Sequence, residues 1–64
     1  MDDRIESAEV YFEITVIGAS ARVVAIDAVT GIEVTVIGPA RAARTYLERL
    51  ALAKLARALR ALRK

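Results

Sequence analysis

Three runs stand out along the chain, Val10 to Ile17, Ala21 to Asp27 and Ile32 to Ile37; apolar and polar residues alternate in the first and third, and the second is apolar except at Arg22 and Asp27. Period-two alternation over runs of this length is the signature of a half-buried strand. β-branched and aromatic side chains, which fit a pleated surface, dominate all three. Gly18-Ala19 separates the first two runs and suits a two-residue type II′ turn, which takes Gly at its first central position. That turn pairs Val16 with Ala21, Ile14 with Val23 and Phe12 with Ala25. Between the second and third runs, Asp27 can bond backbone groups of a loop, and Gly31 can take the left-handed conformation at its end. A four-residue loop, Ala28–Gly31, sets Ala25 opposite Val34 and Val23 opposite Val36. A three-residue loop would shift the pairing by one and turn Arg22 to the side of Val34. The first register is expected, because it keeps Arg22, Glu33 and Thr35 together.

The pattern changes at Gly38-Pro39. From there to Lys64 the chain is almost entirely Ala, Leu, Arg, Lys and Glu, all strong helix formers. Pro39 suits a first helical turn, where its missing N–H costs nothing. A helix over 39–63 is expected, and the 26 residues from Pro39 to Lys64 at helical rise would span about 39 Å, past the end of strands about 20–26 Å long. Its apolar positions fall into two groups. Ala43, Tyr46, Leu47 and Leu50 share one side. Leu52, Leu55, Leu59 and Leu62 share another, at the 3-4-3 spacing of a helix-on-helix seam. The first group is expected on the chain's own sheet and the second on another chain. The alternative is one wide apolar face with alanines filling the gaps.

The two sheet faces are less distinct than a helix on one side requires. One carries Val10, Phe12, Ile14, Val16, Ala21, Val23, Ala25, Ile32, Val34 and Val36. The other is polar in its middle yet holds Ile17, Val24, Ile26 and Ile37, a candidate subunit contact. The alternative is that β-branched residues populate an exposed strand by propensity alone. The string Phe12-Glu-Ile-Thr-Val-Ile-Gly18 also recurs as Ile32-Glu-Val-Thr-Val-Ile-Gly38. Two copies are too few for a repeat architecture, so the echo marks two similarly placed strands.

Sixty-four residues bound the chain at a single small domain, 1–64, with 1–8 a polar, acidic, flexible start, 10–37 the sheet and 39–63 the helix. The expected class is α+β: a three-stranded antiparallel meander followed by one long C-terminal helix (βββα). Domains this small bury only about 60% of their unfolded surface and lean on disulfides, metals or a second subunit. There is no Cys, so no disulfide, and without Cys or His a zinc site is not expected. That leaves unusually good packing or a core shared in a homo-oligomer, in the first place a dimer, and 56% hydrophobic residues point to the shared core.

The net charge of +2 hides a polarised chain. Residues 1–38 carry seven acids against Arg4 and Arg22, and residues 39–64 carry eight bases against Glu48. Arg49, Lys54, Arg57, Arg60 and Arg63 lie mostly away from the second leucine group. Such a face is most often simply solvated. It is also a candidate for nonspecific contact with nucleic-acid phosphates, for an anionic membrane surface, or for neutralising the acidic half. Base-specific reading is not expected, because the chain has no Asn or Gln.

Catalysis is not expected. The usual bases and nucleophile pairs are missing without His and Cys. Ser7 and Ser20 have no evident activating partner, and Glu13 and Glu33 with Arg22 read as a cross-strand ion cluster. Gly18 and Gly38 follow strands but belong to no dinucleotide or P-loop pattern, so no catalytic residue, cofactor or metal site is assigned. The acidic start lacks an apolar core of a signal peptide, and no run is long enough to span a bilayer. A cytoplasmic setting is expected.

Val10-Tyr-Phe-Glu, Arg22-Val-Val-Ala-Ile-Asp27, Thr30-Gly31, Glu33-Val34, Ile37-Gly-Pro39-Ala40, Leu47-Glu-Arg-Leu-Ala51 and Lys54-Leu55 together carry a resemblance. From about Val10 to Leu59 the chain resembles a family of short, uncharacterised bacterial proteins best known from alphaproteobacteria. Ala28 stands where that family has Pro in its loop. Some members bear an automatic label of serine hydroxymethyltransferase. That chemistry needs a pyridoxal-phosphate Schiff-base Lys in a large fold, so the resemblance implies a bacterial cytoplasmic setting and no activity.

Overall fold

The computed structural model describes residues 9–62. The expected flexible start, 1–8, and the helix end at Arg63 lie outside them. Three strands, β1 (Val10–Ile17), β2 (Ser20–Asp27) and β3 (Glu33–Pro39), are followed by one helix, α1 (Arg44–Leu62). The strands form an antiparallel sheet in the order β1-β2-β3, so the fold is the α+β βββα arrangement that the alternation predicts.

Both registers follow from turn chemistry. Ile14 lies opposite Val23 and Phe12 opposite Ala25, while Val23 lies opposite Val36 and Ala25 opposite Val34. Gly18 has φ +61°, and no non-glycine described residue has positive φ. A positive φ at the first central residue alone is the type II′ turn, whose twist matches the flanking strands. In the second loop one Asp27 carboxylate oxygen, Oδ2, accepts from the Thr30 N–H at 2.9 Å and from the Thr30 hydroxyl at 2.7 Å. The Ile32 N–H donates to Thr30 Oγ1 at 3.1 Å. The Gly31 N–H donates to the Asp27 carbonyl at 2.8 Å, with Gly31 at φ +78°.

These bonds hold the Asp27 carboxyl below the usual carboxylate range, the Thr30 hydroxyl contributing most and its backbone N–H next. A depressed folded value means that the unfolded chain binds the proton more tightly. The stabilisation is therefore complete above the unfolded carboxylate value and disappears as pH falls through the folded one. Urea unfolding of wild type should weaken on acidification below about pH 4, and Asp27→Asn should flatten that limb.

The third strand and the helix divide the chain differently from the expectation. Pro39 does not open the helix; it is the last residue of β3, opposite Ser20. In this ladder β3 bonds β2 through Ile32, Val34, Val36 and Gly38, as the Asp27 N–H to Ile32 O bond shows. Residue 39 therefore turns its nitrogen outward, where proline is tolerated on an edge strand. Backbone bonds from Ala40 to the Ala19 carbonyl (2.8 Å) and from Ala42 to the Pro39 carbonyl (3.0 Å) then turn the chain. The helix begins only at Arg44. Its 19 residues span about 28 Å, close to the length of an eight-residue strand at about 27 Å. It matches the sheet instead of outrunning it.

The Ala43 carbonyl accepts the first helical bond, from Leu47 N–H at 3.1 Å. Ala43 is thus the N-cap, with no side-chain oxygen for the free N–H groups of the first turn, which also holds no acid. Ala43→Asp should stabilise the fold by about 1 kcal/mol, read as a higher urea midpoint at unchanged slope.

The core lies between α1 and one sheet face. Ala21, Val23 and Ala25 of β2 and Leu47, Ala51 and Leu55 of α1 are buried. Phe12, Ile14, Val34, Val36 and Leu59 pack around them. The spacing Leu47, Ala51, Leu55 is a single inward stripe. Ala51 stands at its centre, over a sheet face that presents Ala21, Val23 and Ala25 on β2 and Gly38 on β3. A Cβ on Gly38 would stand 2.6 Å from Leu47 Cδ2.

Candidate interaction surface

The helix packs on β2 and β3. Lys54, on one helix flank, donates to the Thr35 carbonyl at 2.7 Å. That carbonyl points outward from β3, so Lys54 caps the outer edge of this strand. Leu52 and Leu59 lie on the opposite flank by helical geometry, the side of β1. There Val10, Phe12 and Ile14 are half-buried and Val16 is 58% exposed.

This packing separates the predicted contact residues. Leu55, at 1% exposure, is one of the two largest fully buried side chains, and Leu59 packs against the core. Both were expected to face another chain and instead close this one. Leu52 (41% exposed) and Leu62 (60%) remain open. The first group errs in the opposite sense: only Leu47 of it is buried, whereas Tyr46 and Leu50 are exposed. The 3-4-3 leucine spacing is shared by a coiled-coil seam and by the inward face of a single amphipathic helix. What decides between them here is the buried stripe Leu47, Ala51 and Leu55, centred on a small residue.

The sheet residues are brought together. The pairing sets Tyr11 beside Ile26 and Glu33, Glu13 beside Val24 and Thr35, Thr15 beside Arg22 and Ile37, and Ile17 beside Ser20 and Pro39. All lie on the face away from α1. Ile17 (71% exposed) and Ile37 (63%) are open, and Val24 and Ile26 on the central strand are half-buried. A shallow hollow of about 190 Å³ lies between Ile17, Thr15, Ser20, Arg22 and Ile37.

The expected ion cluster does not form on that face. Glu13 is diagonal to Arg22 and Glu33 lies a further row away; among the described residues no ion pair joins them. The ion pair found among the described residues, Arg44 Nε to Glu48 Oε2 at 3.1 Å, is an i,i+4 contact on the helix. At the far end the Tyr11 hydroxyl donates to Glu9 Oε2 at 2.9 Å. This bond, and then the negative charge of Glu9, holds the phenol above its ordinary value. Arg49, Arg57 and Arg60 are exposed on the outer side of α1, while Lys54 is engaged by the sheet edge and Arg63 lies outside the described residues. No group of three or more acidic side chains is placed to hold a metal among the described residues, and no described helix is long and apolar enough to cross a membrane.

No curated protein and no solved structure matches this chain. One family model does, over residues 7–63, which takes in all three strands and the helix. The chain belongs to the family described as a domain of unknown function, DUF6898.

Proposed function

We propose that this chain is a small, non-catalytic interaction module that works in the cytoplasm as a homo-oligomer, in its simplest form a dimer. The observation that carries this reading is the one-sided packing of the sheet. A single helix covers β2 and β3 on one face. It leaves the other face, with Ile17 and Ile37, and the flank of β1, with Val16, open to water. Clustered exposed apolar residues of this kind mark interaction sites more often than scattered single ones do. A small one-helix sheet also gains most from sharing its surface. Sedimentation equilibrium from nanomolar to hundred-micromolar protein should show a mass rising from one chain to two. A single-chain mass throughout would contradict the reading.

A second reading rests on Arg49, Arg57 and Arg60, which are exposed on the outer side of α1 beside Tyr46. They would hold nucleic-acid phosphates without reading sequence. Binding to random duplex DNA should then weaken steeply with salt, and no binding at low salt would remove this reading.

A further inference from the structure

The two sheet edges are built differently. On β3 the outward backbone groups belong to Glu33, Thr35, Ile37 and Pro39, because the alternate residues bond β2. Pro39 has no N–H to offer, and Lys54 Nζ occupies the Thr35 carbonyl at 2.7 Å. Proline and lysine on an edge are the usual means of preventing strand addition. β1 has neither. It pairs with β2 without a bulge from Val10 to Ile17. The two-residue turn makes Ile17 and Ser20 a hydrogen-bonded pair, so the odd-numbered residues of β1 bond β2. The N–H and C=O groups of Val10, Phe12, Ile14 and Val16 therefore point outward along an edge that, among the described residues, neither α1 nor any other element covers.

From these two edges we infer that β1 is the oligomerisation strand: two copies join β1 to β1 antiparallel, with Ile14 opposite the partner's Ile14, in one continuous six-stranded sheet. The inference rests on the homo-oligomer reading and specifies its contact. The register follows from two constraints. The outward groups sit on even-numbered residues, so even must pair with even. The strand runs from 10 to 17, so only two symmetric registers overlap it almost fully. One centres the two-fold axis on Glu13 and sets it directly against the partner's Glu13, where like charges repel. The other centres the axis on Ile14. It sets Glu13 against the partner's Thr15, Phe12 against the partner's Val16, and Tyr11 against the partner's Ile17. This second register gives apolar neighbours to Tyr11, Val16 and Ile17, the three exposed large apolar residues of β1. It also joins the two half-covered β1 strips into one apolar floor between the Leu52 flanks of the two helices. Val24, Ile26 and Ile37 take no part in it.

Thr15→Glu tests the register. Within one subunit the new carboxylate lies across from Arg22, so folding is retained and circular dichroism should be unchanged. Between subunits it lies against the partner's Glu13 twice per dimer. The dimer dissociation constant from sedimentation should rise about tenfold. Adding Glu13→Lys should return it to within about threefold of wild type by converting both contacts to opposite charge. A wild-type chain that is monomeric at all concentrations would overturn the homo-oligomer reading and this contact together. A wild-type dimer that Thr15→Glu does not weaken, or that Glu13→Lys does not rescue, would overturn the β1 contact alone.

Discussion

Leu55→Ala should destabilise the isolated fold by about 2–5 kcal/mol, enough to unfold much of a domain whose whole stability is of order 3–10 kcal/mol. Leu55 is 1% exposed and sits with Val23 at the centre of the only layer contact the sheet has among the described residues. Its removal leaves a cavity bounded by the sheet on one side and the helix backbone on the other, where little can collapse inward. Leu52→Ala, one turn earlier and 41% exposed, should cost well under half as much. Urea unfolding of the two variants at a concentration favouring monomer gives the comparison. If the leucines formed one seam against another chain, both variants would keep monomer stability and lose association instead.

The second large effect is expected at Gly38. Alanine in place of glycine within a strand ordinarily stabilises by about 0.5–1 kcal/mol, because it lowers the entropy lost on folding. Here the sign should reverse. The added Cβ meets Leu47 Cδ2 at 2.6 Å, and Leu47 is itself buried and cannot swing into solvent without leaving the core. Overpacking of this sort costs about 1–3 kcal/mol. In a Leu47→Ala background, Gly38→Ala should be close to neutral or stabilising, so a double-mutant cycle should show strong coupling between the two sites. Additive effects would mean that the helix does not rest on Gly38.

The sheet was legible from the chain because strand period, turn residues and side-chain facing are local properties. Gly18 at the first turn position and the Asp27–Gly31 loop determine the register, and a one-residue slip would have turned Arg22 into the core. The internal echo was less informative than it looked. Gly18 turns the chain with φ +61°, whereas Gly38, at the same place in the second copy, lies flat beneath Leu47. The helix boundary was missed because Pro39 fits a first helical turn and an edge strand equally well on local grounds. Only the continued pairing with Ser20 decides between them. The division of the helix into two faces failed for a related reason. Periodicity shows which residues share a side, but which side meets the sheet depends on the floor. Here the floor is made of Ala21, Val23, Ala25 and Gly38, and the helix meets it with the stripe that has Ala51 at its centre. Lys54 as a clasp on the β3 edge joins residues 19 positions apart, and nothing local signals it.

The surface left for a partner is therefore set by the sheet more than by the leucine stripe, and within the sheet by the β1 edge. Residue-resolved amide hydrogen exchange tests it directly. The N–H groups of Phe12, Ile14 and Val16 point away from β2, so in a free edge strand they exchange as quickly as those of Thr35 and Ile37 on the opposite edge. If β1 pairs with β1, exchange at Phe12, Ile14 and Val16 is slow at concentrations where the chain is dimeric and quickens on dilution, while Thr35 and Ile37 stay fast throughout. Fast exchange at Phe12, Ile14 and Val16 in a dimeric sample would contradict it.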